Sequence, residues 1–304
     1  LILAGVLSGS IGVVRFLNLP YLTYIINHLW PIKGDQNLDI LEWGRMETTV
    51  GGTNTGGVFF SILSVIILFK ILTKNRRVYL NYFLLVFFVI CTILTGSFTG
   101  VITFTISSIF LMLNLNPKPL KLFRFLLLGL TSTALFLNIP FVNEQLKGVI
   151  DKRYEENIVT MPEETYLPRS LHGRYYDWVG IAEVILSEKP FFGYGFILNN
   201  QTGANTTKFN PRYSLAENYY IQILVLSGLL GLIISIYFFY NIVLTVIKAK
   251  KYSYLDSIFV LSILLIYLFA QLTQITLQYS FLTFFFGILL ANIHHLKISK
   301  CNTL

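Results

Sequence analysis

The chain is patterned as long apolar runs broken by short polar connections. Runs of about seventeen residues or more are long enough to cross a bilayer as helices. Eight such spans are predicted, near 1–17, 56–73, 78–94, 97–115, 120–139, 217–247, 255–272 and 275–295. No alternating strand pattern competes with them, and a lipid interior admits only helices or closed barrels. The fold class is therefore all-α: a polytopic integral membrane helical bundle with a large extracytoplasmic loop that carries a short amphipathic helix. The chain, 1–304, reads as a single membrane domain. Leu1 lies inside an apolar run with no initiator methionine before it, so further spans are expected upstream. No signal-peptide pattern is present.

Two connections are long, 18–55 and 140–216. The first opens with PYLTYIINHLW (20–30), whose aromatic and aliphatic residues predict a helix lying in the headgroup layer. It continues as GRMETTVGGTNTGG (44–57), a tight polar lead into the second span. The second long connection is acidic and aperiodic up to Pro168, which predicts a solvated flap. Beyond it, Trp178, Ile181, Ala182, Ile185 and Leu186 recur at helical spacing and predict the amphipathic helix. Pro190 ends that helix, and Gly193-Tyr194-Gly195 predicts a turn. The fourth span opens with LTGSFTG (94–100), small residues that let helices approach closely.

Charge gives this pattern a direction. Only 12% of residues are charged and 54% are hydrophobic, against about 25% charged in a soluble domain. The connections at 70–77, 118–124 and 248–251, with the C-terminal tail, hold twelve basic residues and no acidic one. The positive-inside rule places them in the cytoplasm and both long loops outside. No charge sits mid-span; Arg124 and Asp256 lie near inner ends. Ion-coupled transporters usually place ionisable groups near the midplane, so a lipid-linked glycan flippase or transporter is the alternative from another class. No nucleotide-binding glycine motif occurs, and nucleic acid is not an expected partner. The histidines lack ligand spacing and the two cysteines lie far apart, so neither a metal nor a cofactor is expected.

Candidate chemistry gathers on the outer side. Arg174 is read as standing just before the amphipathic helix, where it either pairs with Asp177 or helps free N–H groups hold an oxyanion. Arg169 is a surface charge or a second contact to the same anion, and Arg45 opens the glycine-rich segment. Glu217 and Asn218 begin the sixth span. A glutamate there is stabilised by the helix dipole, and it could also take a proton from a sugar hydroxyl. Tyr219 and Tyr220 are interfacial anchors or sugar-stacking faces. Gln271, Gln274 and Gln278 are read first as interhelical hydrogen-bonding groups.

These motifs, in this order, resemble the bacterial O-antigen ligase and O-antigen polymerase family. The likeness covers roughly residues 40 to 250. It runs through Arg45 with Gly51-Gly52-Thr53-Asn54, Thr95-Gly96-Ser97, Arg174 with Trp178, Pro190 and Gly193-Tyr194-Gly195, and Glu217-Asn218 leading into Gly228 to Gly231. The resemblance implies that Arg45 and Arg174 hold a donor diphosphate. It implies a catalytic base just before Asn218, where this chain has Glu217 in place of the family's histidine. Phe98 stands where an arginine is common.

The reading is thus a metal-independent glycosyltransferase of the bacterial plasma membrane, acting on the extracytoplasmic face. It would polymerise undecaprenyl-diphosphate-linked repeat units, with ligation of finished glycan to lipid A core as the alternative. Expected catalytic residues are Glu217, Arg174 and Arg45; expected substrate contacts are Asn218, Arg169, Tyr220 and Asn54. Expected partners are the lipid-linked glycans, membrane lipid, and a chain-length regulator and flippase of the same pathway.

Overall fold

The computed structural model describes residues 1–17, 20–29, 46, 49–50, 52–73, 77–115, 169–195, 218–272 and 282–291, with the side chains of 20 and 169–177 left aside. The span predicted at 120–139, the first half of the second long loop, Gln274 and Gln278 lie outside these residues. Every regular element described is a helix: α1 (Ile2–Phe16), α2 (Pro20–Leu29), α3 (Thr53–Thr73), α4 (Val78–Leu94), α5 (Phe98–Leu115), α6 (Arg169–Glu188), α7 (Tyr219–Ala249), α8 (Tyr254–Ala270) and α9 (Leu282–Ala291). By length and composition α3, α5 and α7 can each cross a membrane, and α1, α4, α8 and α9 are shorter apolar helices. This is the expected helical membrane bundle.

Helix α3 is its centre. Val58, Phe59, Phe60, Ile62, Leu63, Val65, Ile67 and Leu68 are all buried against α4, α5 and α8. Lipid tails are as apolar as leucine, so burial alone does not drive helices together there; close packing and interhelical hydrogen bonds do. The small residues supply both. A Cβ on Gly100 would lie 2.8 Å from the Gly57 carbonyl oxygen, and Ser97 packs directly on Gly57. The Ser61 hydroxyl is shared between the carbonyls of Gly57 (2.7 Å) and Gly100 (2.6 Å), one on each helix. The LTGSFTG segment is thus a packing seam, as its composition predicts.

The helices alternate in direction. The turns from α3 to α4 and from α7 to α8 lie at the end carrying Arg77, Lys248, Lys250 and Lys251. The Tyr254 hydroxyl donates there to the Asn114 carbonyl at 2.8 Å, tying α8 to the end of α5. Helix α1 runs alongside α4, with Gly5 against Phe88 and Gly9 against Phe87 and Cys91. The opposite end of the bundle is therefore where α1, α4 and α8 finish and where α3, α5 and α7 begin. Helix α2 leaves that end with Tyr21, Leu22, Tyr24, Ile25 and Leu29 exposed, the surface an interfacial helix presents.

The sixth span departs from expectation. It is not one straight helix. Gly228 inside α7 has φ 61° and ψ −159°. In a continuous helix Tyr219 and Phe239 would stand about 30 Å apart at 1.5 Å per residue, yet their ring centroids are 6.2 Å apart. The chain folds back on itself at Gly228, making a short leg, α7a (219–227), and a long leg, α7b (229–249). Only the long leg is a span. Its Ile233, Ile234, Ile236 and Tyr237 are exposed, as a lipid-facing surface requires.

Candidate functional site

A break in a helix leaves backbone groups that must find partners, most of all in lipid. Here they find them in the turn after α6. Unbroken, α7 would pair the carbonyls of Val225 and Leu226 with the N–H groups of Leu229 and Leu230. Instead, Val225 accepts from the Tyr194 N–H (2.8 Å) and Leu226 from the Gly195 N–H (3.0 Å). Leu229 donates to Pro190 (2.8 Å) and Leu230 to Phe191 (3.3 Å). Two helix bonds are exchanged for four bonds to the loop. The approach needs glycine on both sides. A Cβ on Gly193 (φ 63°) would lie 2.5 Å from the Val225 carbonyl oxygen, and one on Gly228 would collide with the backbone of Phe191. The sequence predicts a turn at Gly193-Tyr194-Gly195; the structure makes it a plug in a split helix.

The plug fixes α6 to α7a. Ile181 and Ile185, both buried, pack on Leu224 and Val225, with Ala182, Ile221 and Tyr194 around them. Leu186, expected on the same face, is exposed instead. Tyr194 donates to the Glu188 carboxylate, and Lys189 lies over its ring at 4.9 Å. Burial first, and then the Glu188 hydrogen bond and charge, push the Tyr194 phenol up to about 12, so it stays a neutral donor at physiological pH.

The foot of α7a meets the end of α8. Asn218 is 6% exposed and caps the helix: Oδ1 accepts from the N–H groups of Tyr220 (2.9 Å) and Ile221 (3.2 Å). Its Nδ2 donates to the Leu272 carbonyl at 2.9 Å, and the Tyr219 N–H donates to the Gln271 carbonyl at 3.0 Å. Tyr219 and Tyr220 are half-buried with their rings edge to face, 5.7 Å apart. The rings of Phe239, Phe286 and Tyr267 continue the cluster into the bundle.

The predicted site residues fall out as follows. Arg174 does not precede the amphipathic helix; it lies inside α6, which begins at Arg169. The unpaired N–H groups of a helix belong to its first turn, so position 169, and not 174, stands at the anion-binding end. Asn54 lies in the first turn of α3, and Tyr220 in the first turn of α7a. Arg45 and Glu217 lie outside the described residues. Their chain neighbours are anchored: the buried Met46 donates its N–H to the Leu94 carbonyl at 2.8 Å, and Asn218 is held as above.

The interhelical reading of Gln271 is corrected. Its side chain is 0% exposed, and neither amide atom finds a hydrogen-bond partner among the described residues. Arg15 is a candidate that the pattern of spans and loops does not single out. It lies near the end of α1, away from the basic connections, and is 4% exposed. The signal was there: an arginine inside an apolar run is a functional candidate by default. Among the described residues no group of three or more His, Cys, Asp or Glu gathers that could hold a metal.

The arrangement brings two things to one vertex. Both α6 and α7a run toward the fold at Gly228 and pack against each other below it. Position 174 precedes Ile181 by seven residues and Asn218 precedes Leu224 by six, about 10 Å of helix in each case. An arginine-bearing helix and the capped foot of α7a thus lie on the same side of the vertex. Compared with known sequences, residues 83–236 match the O-antigen ligase family. No curated protein matches the chain, and no solved structure does.

Proposed function

Because the chain belongs to the O-antigen ligase family, and so carries a membrane glycan-processing activity of the ligase or polymerase type, we propose that it joins lipid-linked repeat units into a surface polysaccharide. The observation that carries the reading is the shared side of the vertex. Helix α6, bearing Arg169 and Arg174, is locked to the helix whose cap, Asn218, follows Glu217 directly in the chain. Cations and a carboxylate on adjoining elements suit a reaction in which a diphosphate leaves and a hydroxyl attacks.

In this scheme the donor is a glycan on undecaprenyl diphosphate at the outer face of the plasma membrane. A hydroxyl of the acceptor sugar forms a bond to the donor's anomeric carbon. The bond from that carbon to the phosphate oxygen breaks, and the lipid diphosphate leaves with the electron pair. Glu217 takes the hydroxyl proton. Arg45 and Arg174 stabilise charge building on the leaving group, so the scheme needs no metal. Asn218, its amide engaged by α7a and α8, positions the chain beside Glu217.

Complementation of a strain lacking the gene tests this, with surface glycan length read on a gel. Glu217→Gln should collapse the ladder to single repeat units with protein still in the membrane. Arg174→Ala should lower turnover by about 10²-fold, the scale for loss of a single electrostatic donor. A full ladder at normal rate in Arg174→Ala sinks the mechanism. The family's own description favours a second reading, ligation of finished glycan to an acceptor. It predicts that the null strain makes polymer but leaves it unattached. If the protein were a flippase, unpolymerised units would accumulate inside.

A further inference from the structure

The fold in α7 creates a fork whose polar groups have no work in the bundle. Three elements meet there. Asn218 points α7a toward α8 through Leu272, and Tyr219 points it toward α7b through Phe239. At about 100° per residue, Gln222 falls on the face between those two, so it looks into the junction. Its Oε1 is buried and finds no hydrogen-bond partner among the described residues. Gln271 closes the junction from α8, one backbone bond from Tyr219, with both amide atoms in the same condition. Ser235, one turn before Phe239 on α7b, is 9% exposed and its hydroxyl is unpaired too.

Orphaned serines alone would mean little. Ser64, Ser107, Ser108 and Ser257 share that condition elsewhere in the bundle, and a serine hydroxyl can turn onto a carbonyl of its own preceding turn. A glutamine carbonyl oxygen has no such recourse, because it needs a donor and the N–H groups within its own helix are already paired. A buried amide left unpaired is costly; both amide atoms of the fully buried Gln271 are in that condition, and the Oε1 of the partly buried Gln222 joins them. What would satisfy both must accept and donate at neighbouring positions, since Gln271 presents a carbonyl and an NH₂ together. Hydroxyl groups do both. It must also be uncharged: the stretch 219–247 contains no ionisable group except tyrosine, and a charge without a partner is costly at this depth. The half-buried rings of Tyr219 and Tyr220 add aromatic surface at the junction.

We propose that this fork, formed by Gln222, Gln271 and Ser235 beside Tyr219 and Tyr220, is a binding site for the vicinal hydroxyls of a neutral sugar ring. The inference rests on the glycan-joining reading for its biological setting, and it deepens that reading by naming residues that hold a sugar of the repeat unit. The diphosphate goes to the arginines, and the uncharged part of the substrate goes to the fork.

The test uses the full chain purified in detergent. The probe is the oligosaccharide repeat unit released by mild acid from the host's own lipid-linked precursors, and affinity is read by calorimetry. Gln271→Leu and Gln222→Leu remove the amides at nearly constant volume. Each should bind the probe at least about tenfold more weakly, because the hydroxyl partner is lost. Each should also melt at the same temperature as the wild type or higher, because an orphaned polar group has been deleted. A merely structural amide predicts the reverse: lower melting with unchanged affinity. That outcome, or a wild type that does not bind the probe at millimolar concentration, overturns the proposal. The two readings separate cleanly. If deleting the gene leaves the surface glycan unchanged, the glycan-joining function falls, while the calorimetry still decides the fork. If the ladder depends on the protein and both leucine variants bind normally, the fork alone is wrong.

Discussion

Gly228 has a backbone conformation that side chains rarely adopt, and the space beside it is filled by the Phe191–Phe192 backbone. Such φ/ψ values cost a non-glycine residue about 1–3 kcal/mol before any collision is counted. Gly228→Ala should therefore melt well below the wild type in detergent. Gly287→Ala is the matched control: nothing lies within 4 Å of its Cβ position, and alanine is the better helix former. Equal melting temperatures for the two variants would mean that the fold at Gly228 is absent. At this scale the sequence was a partial guide. Glycine-rich SGLLG was visible at 227–231, but glycine is common in membrane helices, and nothing local separates a packing glycine from a fold. The apolar repeat begins only at Trp178, nine residues after the helix does, so the pattern puts Arg174 before a helix that in fact contains it. Pro168, a residue type that often opens helices, marked the boundary at 169 better.

Elements were legible where lipid dictates them. A span must be an apolar run, so α3, α4, α5 and α8 fall within a few residues of expectation. Helix α6 was legible as amphipathic because Ile181 and Ile185 recur at helical spacing, and both are buried. Its docking site was not, since the partner residues Leu224 and Val225 look like ordinary span residues. Ile185→Asp places an unpaired charge at a position that is fully buried. It should release α6 from α7a while leaving α3, α4 and α5 packed. Limited proteolysis in vesicles should then cut between 170 and 195 much faster than in the wild type, with the remaining fragments still membrane-embedded. Uniform loss of the whole protein would show that α6 is integral to the bundle and not a docked element.

For the whole molecule, the prediction is a distance. Tyr219→Cys paired with Phe239→Cys should cross-link with a short bismaleimide in native membranes, because those rings face each other. Tyr219→Cys paired with Val246→Cys should not, since Val246 lies about 10 Å further along α7b at 1.5 Å per residue. Native Cys91 is buried and Cys301 can be replaced by serine. If neither pair cross-links, the sixth span is straight. Which connections share one end of the bundle could be read from charge, because lysines and arginines cluster at alternate connections, and Arg77, Lys248, Lys250 and Lys251 do lie at one end. The fold in α7 could not, because its cause lies in another segment. Backbone groups of residues 190–195 replace bonds between 225–226 and 229–230, and main-chain groups leave no side-chain signature.

That exchange also constrains how the protein is made. Segment 190–195 leaves the ribosome some thirty residues before the stretch it completes. A nascent chain ending short of residue 230 would hold the four backbone groups of the plug with nothing to join. Helix α7b, for its part, cannot settle in lipid with its first turn uncompensated. Segment 190–195 must therefore already lie beside the fold in α7 when α7 is being inserted. Placement of segment 190–195 and lateral release of the sixth span become ordered events in biogenesis, with the segment serving as the template on which its own downstream helix is finished.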